Sequence, residues 1–413
     1  MDLTKRRHLS KILFYRYFDL LQSSTFLCDI STIQYAKNMM ETVSKYIKKG
    51  KLFGKSASEL EVMGISLRLI HDIAELSETG NIGYIIDYKS RIPQWLHPFI
   101  SPLYLDLNKL RIFLNSNKID NIECLKSYFI EKGCTTDFEQ MLYHSLTYMD
   151  DSFFPISYYY KDLSDSVQNL CCCGKSIHGT LHNHTVSSDG FCELDEIVNY
   201  GIEHQYDYIG ISDHSRSTLL GISDEDICSQ HSQIDKLNHS NNSIYVFKGI
   251  ECEILFNGEL DYPENQLNKF DYVIGGIHTH YDMNKKDAEK RIIKAIESGQ
   301  IDILAHPTNR IYGSKPGFDI DMHYIIDACV SNRVIIEING NKKRLDLDPR
   351  YIQYASNRGA LFEMAADTHK ISDFARINNA ISIVNDFHIP ENQIINLYNR
   401  FELQSLFLTL HIS

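Results

Sequence analysis

Two histidines one residue apart, His182 and His184, lie in the stretch Thr180-Leu181-His182-Asn183-His184-Thr185, and Ser188-Asp189-Gly190 follows at once. If this stretch is a strand, side-chain alternation across the pleat turns both imidazoles to one face, where they can share a metal ion. An isolated pair of this kind is more often two polar groups turned to water. This pair is not isolated. Asp213-His214, Glu251, His278, His306 and Asp367-Thr368-His369 each follow a short apolar run further along the chain. With the first pair and Asp189, and with Asp213 set aside, they supply six histidines and three carboxylates, whereas zinc takes about four ligands and manganese about six. The nine donors fit two or three divalent ions sharing a bridging carboxylate. Mixed imidazole and carboxylate donors suit Mn, Zn or Fe rather than Ca or Mg. Such ions lower the pKa of a bound water, polarise a phosphoryl oxygen and neutralise a leaving oxygen, so the chemistry to expect is phosphoester hydrolysis.

Positioning these residues takes elements whose ends converge. From Ile177 onward, apolar runs at 179–184, 208–213, 244–250, 272–277, 301–305, 334–338 and 360–365 alternate with helical segments. Seven strand–helix units predict an α/β fold with a parallel barrel, in which the chemistry gathers at the C-terminal ends of the strands. Six of the seven runs end in the donors named above. The sixth, ending in Glu337, Ile338 and Asn339, offers no histidine.

Residues 1–150 read as a separate, all-helical domain. Leu9, Ile12, Leu13, Tyr17, Leu20 and Leu21 recur at helical steps, as do Leu60, Met63, Leu67, Ile70, Ile73 and Leu76, with Gly80 as a stop. Pro93, Pro98 and Pro102 interrupt the pattern around Trp95, and a second helical group runs from Leu103 to about Tyr148. Residues 151–176, rich in Phe and Tyr without a clear period, form the connection, and residues 177–413 the barrel domain.

At 413 residues, 43% hydrophobic and 23% charged, the chain is ordinary globular protein long enough for two domains. No apolar run approaches the roughly 20 residues of a membrane-spanning helix. The basic N-terminus continues into a stretch broken by Lys11, Arg16 and Asp19, which reads as an amphipathic helix rather than a signal peptide. Ten cysteines without disulfide-framework spacing agree with a cytoplasmic location. Cys173-Gly174-Lys175-Ser176 lacks the upstream glycine of a phosphate-binding loop. The net charge of -13 sits in the C-terminal part, since residues 1–175 hold 21 Lys and Arg against 20 Asp and Glu. Bound cations would reverse the field of an acidic site, so nucleic acid stays open as a substrate.

The ordered motifs resemble those of the polymerase and histidinol phosphatase (PHP) domain: residues 178–194, Ile211-Ser212-Asp213-His214-Ser215, Gly249-Ile250-Glu251, Ile277-His278, Leu304-Ala305-His306-Pro307-Thr308 and Ala366-Asp367-Thr368-His369. Gly258-Glu259-Leu260-Asp261-Tyr262-Pro263, His306-Pro307-Thr308-Asn309-Arg310 and Arg344-Leu345-Asp346-Leu347 are similar to segments of the C-terminal PHP domain of bacterial family X DNA polymerases. The resemblance implies a distorted seven-stranded barrel with three metals. It implies that His182, His184, Glu251 and Asp367 hold the first, Glu251, His278 and His306 the second, and Asp189, His214 and His369 the third. Arg310 and Arg344 would clamp phosphate through their planar guanidinium groups. His280 shares a face with His278, but the family places the ligand at the first of the two. Asp213 is expected to orient an imidazole rather than touch metal.

Val62-Met63-Gly64-Ile65-Ser66 through Thr79-Gly80 resembles the first helix-hairpin-helix of those polymerases, with Ser66 in place of the second glycine. The next such turn, expected near 104–110, has no glycine. About 25 residues separate the helical region from the barrel, too few for a polymerase palm. The pairs Asp319/Asp321 and Asp346/Asp348 read as loop or cap residues. Three functions follow as alternatives. The first is a metal-dependent phosphodiesterase on nucleic-acid ends, 3'-5' exonuclease-like and without polymerase activity, whose helical domain binds nucleic acid weakly. The second is a phosphomonoesterase for a phosphorylated small molecule, of histidinol-phosphatase type. The third is a non-catalytic adaptor that binds a protein and carries a structural metal cluster.

Overall fold

The computed structural model describes residues 3–47, 51–100, 106–136, 138–139, 142, 146, 171–172, 175–218, 220–240, 243–281, 283–311 and 317–410. The aromatic connection around 153–160 and the first two residues of the turn expected near 104–110 lie outside these residues; from Asp106, which caps the helix Leu107–Ser116, the rest of that stretch is the start of a helix. The chain divides into two compact units, one of which falls within residues 1–149 apart from a three-residue segment.

Helices fill the first unit, beginning with α1 (Leu3–Leu27) and α2 (Ile30–Ile47), which pack on one another. Leu13, Tyr17 and Leu20 of α1 recur at three- and four-residue steps and are buried, as the periodicity requires. The apolar pattern from Leu60 to Leu76 is not one helix. α3 (Ala57–Val62) stops before Gly64, whose φ of 77° places it in the left-handed region, and Ser66 caps α4 (Leu67–Thr79) by accepting from Leu69 N. Leu67 therefore opens a new helix and is 73% exposed, while Ile65 takes the buried place. Gly80 ends α4 in the left-handed conformation, as a C-terminal stop should. Asp72 of α4 is buried beneath the hydroxyls of Tyr17 and Tyr84, which donate to Oδ2 at 2.5 and 3.1 Å.

In the second unit the first strands among the described residues are an antiparallel pair, β1 (Cys171–Cys172) and β2 (Lys175–Ser176), inside the stretch expected to be linker. Seven parallel strands follow: β3 (Gly179–Thr180), β4 (Tyr208–Ile211), β5 (Tyr245–Glu253), β6 (Tyr272–Gly276), β7 (Ile303–Leu304), β8 (Ile335–Asn339) and β9 (Phe362–Ala365). They lie side by side in chain order. Beyond the end of β9, Thr368 N donates to His182 O and Thr368 O accepts from His184 N at 2.8 Å, so the sheet is a nearly closed barrel. This is the fold class that the seven apolar runs predict.

Both faces of the strands are buried, which is why the runs read as almost continuously apolar. Val273, Leu304 and Ile336 pack outward on surrounding helices, while their neighbours Tyr272, Ile303 and Ile335 pack inward. The C-terminal helix, Arg400–Leu410, sends Leu403 and Phe407 into that inner cluster, and Phe407 stacks on Tyr272 with ring centroids 5.3 Å apart. Tyr272 crosses the interior to donate to Leu181 O at 2.5 Å. Gly249 and Gly210 make room for it, since a Cβ at either would come within about 2.2 Å of its ring or hydroxyl. The apolar filling leaves the C-terminal ends of the strands to polar side chains.

Candidate metal centre

Glu251 lies near the end of β5, fully buried, and five imidazoles converge on its carboxylate. His214 Nδ1, His182 Nε2 and His184 Nε2 approach Oε2 at 2.8, 3.3 and 3.5 Å. His306 Nε2 and His278 Nε2 approach Oε1 at 3.0 and 3.1 Å. Asp367 Oδ1 stands 3.4 Å from His184 Nε2 and 3.7 Å from His182 Nε2. On the other side of His184, Asp189 Oδ2 meets His369 Nε2 at 3.1 Å and His214 Nε2 at 3.6 Å. All nine residues singled out as donors thus come together. They fall into overlapping groups: His182, His184 and Asp367; His182, Glu251 and His306; His214, Glu251 and His278; and His184, Asp189, His214 and His369. Gly276 is part of the design, because a Cβ there would lie 2.7 Å from Glu251 Oε1.

The donors fit metal ions and little else. Both oxygens of Glu251, Nε2 of His182 and His278, both ring nitrogens of His184 and Oδ1 of Asp189 are buried and make no hydrogen bond. A protein leaves a buried polar atom unsatisfied at a cost of about 1–3 kcal/mol, and here the orphaned atoms face one another. Their lone pairs aim at shared points, the arrangement that a cation satisfies and a proton network does not. His280 stays outside the centre, exposed, with its ring against Phe256.

The residues that orient the rings are two glutamates. His182 Nδ1–H donates to Glu337 Oε2 at 2.5 Å and His278 Nδ1–H donates to Glu253 Oε2 at 2.9 Å, which leaves Nε2 of each ring as the free donor atom. Glu337 comes from the strand without a histidine, and a carboxylate inside an apolar run was the available signal. Glu253 follows Glu251 by two residues and so shares its face.

Asp213 does not touch an imidazole. Its carboxylate accepts from Thr185 N and Oγ1 at 2.8 and 2.6 Å, from Ser188 Oγ at 2.5 Å and from Gln230 Nε2 at 2.6 Å, fastening the loop that carries Asp189. A carboxylate next to a histidine in sequence points to the opposite face, which is why adjacency misleads. Arg310 is buried, with Nη1 on Asp348 at 2.5 Å and Nε and Nη2 on the carbonyl of Arg344 at 3.1 and 3.0 Å. Its guanidinium secures the 344–348 loop. Arg344 reaches the centre: Nε pairs with Asp367 Oδ2 at 3.2 Å and Nη1 donates to Asn309 Oδ1 at 3.1 Å. Asp321 and Asp348 are helix caps, accepting from His323 N and Arg350 N.

Charge density follows. Burial and the rings of His369 and His214 push His184 down to about 4. Against burial, His369 and His214 hold Asp189 well below the usual carboxylate range. Burial and the neighbouring Glu337 push Glu363, beneath the centre on β9, up to about 8.

A family model described as the PHP domain matches residues 180–341, which hold seven of the nine donors. The chain carries a PHP domain. Outside that match, Asp367 and His369 complete the set from the last strand of the barrel. The DNA polymerase/3'-5' exonuclease PolX of Bacillus subtilis is 33% identical over 197 residues, 47% of this chain and 35% of that protein. A probable phosphatase of Caldanaerobacter subterraneus is 30% identical over 166 residues, 37% of this chain and 62% of that protein. The chain thus spans about a third of one relative and less than two thirds of the other. A solved structure of histidinol phosphate phosphatase from Lactococcus lactis is 16% identical, with a TM-score of 0.38, and covers 52% of this chain and 94% of its own. No helix among the described residues is long and apolar enough to cross a membrane.

Proposed function

We propose that this protein is a metal-dependent phosphoesterase that hydrolyses phosphodiester bonds at nucleic-acid ends, in the manner of a 3'-5' exonuclease, without incorporating nucleotides. The observation that carries the reading is the gathering of the nine donors around Glu251, where both oxygens of Glu251, Nε2 of His182 and His278, both ring nitrogens of His184 and Oδ1 of Asp189 are buried without a hydrogen bond. In this reading His182, His184 and Asp367 hold one ion, Glu251, His278 and His306 a second, and Asp189, His214 and His369 a third, with Glu251 bridging. The donor chemistry suits Mn, Zn or Fe. When bound, such ions supply Lewis-acid polarisation of the phosphoryl oxygen and an attacking water of lowered pKa.

The chain itself supplies orientation and charge. Glu337 and Glu253 keep the rings of His182 and His278 in one tautomer. Arg344, fixed by Asp367, Asn309 and the loop that Arg310 secures, places a guanidinium beside the centre to take a phosphate oxygen. The likeness to the B. subtilis polymerase and exonuclease, at 33% identity, supports a nucleic-acid end as substrate. The probable phosphatases support a second reading, hydrolysis of a phosphorylated small molecule.

We assign residues 1–150 to a helical domain that binds nucleic acid weakly, 151–176 to the connection and 177–413 to the hydrolase domain. The ten cysteines, without disulfide-framework spacing, support a cytoplasmic location. The deciding experiment follows mononucleotide release from a labelled oligonucleotide beside phosphate release from small phosphomonoesters, with added Mn. Release of mononucleotides, blocked by chelator, supports the first reading; phosphate release alone supports the second. Primer extension on a template with all four nucleotides should give no product, and any elongation would overturn the domain assignment.

A further inference from the structure

Phe256 lies in the hairpin that follows β5, and its side chain is 59% exposed although the segment beneath it is firmly held. Leu255 N donates to Glu259 O at 2.7 Å and Gly258 N to Leu255 O at 2.8 Å. Gly258 has a φ of 80°, and a Cβ there would lie 2.8 Å from Arg291 O, so the hairpin is pressed against the helix Lys285–Glu297. The buried Arg291 then ties this hairpin to the loop after β6. Its Nε donates to the carbonyls of Ile254 and Leu255, both at 3.0 Å, and its Nη1 to those of Thr279 and His280, both at 3.1 Å. The exposed ring of His280 stands edge-on to Phe256, centroids 5.8 Å apart and planes at 76°. His280 is two residues beyond His278, so roughly 7 Å of backbone at most separates it from a donor of the metal centre.

An exposed phenyl ring is ordinary on a protein surface. One carried on a hairpin whose backbone a buried guanidinium holds, edge-on to a second ring two residues along the chain from a donor of the centre, is a platform for a flat ligand. Bases stack on such rings whatever their sequence, because every base has a π-face. A base-free sugar phosphate gains nothing from the same surface. We propose that Phe256 and His280 form a nucleobase-stacking subsite at the barrel mouth, holding the base of the nucleotide whose phosphoester lies at the His278 side of the centre. The proposal rests on the phosphoesterase reading and deepens it, naming nucleotides rather than base-free phosphate esters as the substrate class.

Two measurements on the full chain test it separately from that reading. In the first, the protein with Mn is titrated calorimetrically with dTMP and with 2-deoxyribose 5-phosphate, which lacks the base. The wild type should bind dTMP about tenfold more tightly. Phe256→Ala should bring the two affinities close together, and Phe256→Trp should keep them apart. In the second, kcat/KM is compared for oligonucleotides ending in an intact or an abasic 3' residue, and the preference for the intact end should collapse in Phe256→Ala. A binding preference that is missing from the wild type or unchanged in Phe256→Ala overturns the subsite. A wild type that binds with the expected preference but hydrolyses neither oligonucleotide upholds the subsite and overturns the exonuclease reading.

Discussion

Replacing Arg291 with Met should loosen the rim of the barrel by an amount the structure lets us bound. Arg291 is 1% exposed, pairs with Glu253 at 3.3 Å and donates to the carbonyls of Ile254, Leu255, Thr279 and His280. Methionine fills most of the volume without the charge. Removing one partner of a buried ion pair costs about 3–5 kcal/mol, because the other charge stays buried. Each carbonyl left without a donor would add about 1–3 kcal/mol if it stayed dry, but water reaches a rim, so the total should stay near 4 kcal/mol. That is a large part of the ~5–15 kcal/mol of a typical domain. In urea, with m of about 1–3 kcal/mol/M, the barrel transition should move down by about 1 M or more. Glu253 also fixes His278, so affinity for Mn should fall about 10- to 100-fold. The double variant Glu253→Gln/Arg291→Met should recover part of the stability but not the metal affinity. A midpoint shift below about 0.3 M with metal affinity unchanged would refute the clamp.

Asp346 offers a pH test. Burial pushes it up to about 6 in the folded protein from 3.8, despite Arg310 nearby, so folding favours its protonated form. That contribution is fully present below about pH 3.8 and is lost as pH rises through about 6, up to about 3 kcal/mol in all. Asp346→Asn cannot titrate, so its stability relative to wild type should improve between pH 4 and pH 7.5 in paired urea titrations; a pH-independent difference would contradict the burial argument. His182→Ala and Asp367→Ala should each abolish hydrolysis and lower the metal content seen by elemental analysis, with the far-UV helical signal kept. Wild-type protein without bound metal, and with activity indifferent to chelator, would remove the basis for the centre. Deleting residues 1–150 should reduce activity on an oligonucleotide more than on a small phosphomonoester and flatten the salt dependence of binding. Equal losses on both substrates would point to a helical domain that serves the barrel instead.

The strands were legible because parallel strands buried on two faces have little choice but to be apolar, and because nearly every one ends in a donor. Their lengths were overstated at β3 and β7, where only two residues pair before the chain turns into the mouth. Glu337 and Glu253 were harder to see. Their role depends on which ring nitrogen faces them, a property of tertiary geometry that sequence spacing does not carry. Asp213 and Arg310 illustrate the converse: residue type and neighbourhood promised contact with the site, while side-chain direction committed both to loops behind it. In the helical region the apolar period ran straight through Gly64, since periodicity counts residues and ignores a single left-handed φ.

The seam between β3 and β9 has a consequence for biosynthesis. The centre draws on both sides of it, and the contact between Asp189 and His369 spans 180 positions of chain. A nascent chain therefore lacks a complete site until its last strand has been made and has met its first. Contacts of such long range form late, because loop closure must precede any gain from them. An ion that binds only the closed barrel stabilises that state alone, by mass action. Metal supply during synthesis would then act as a quality check, separating chains that have joined their ends from those that have not.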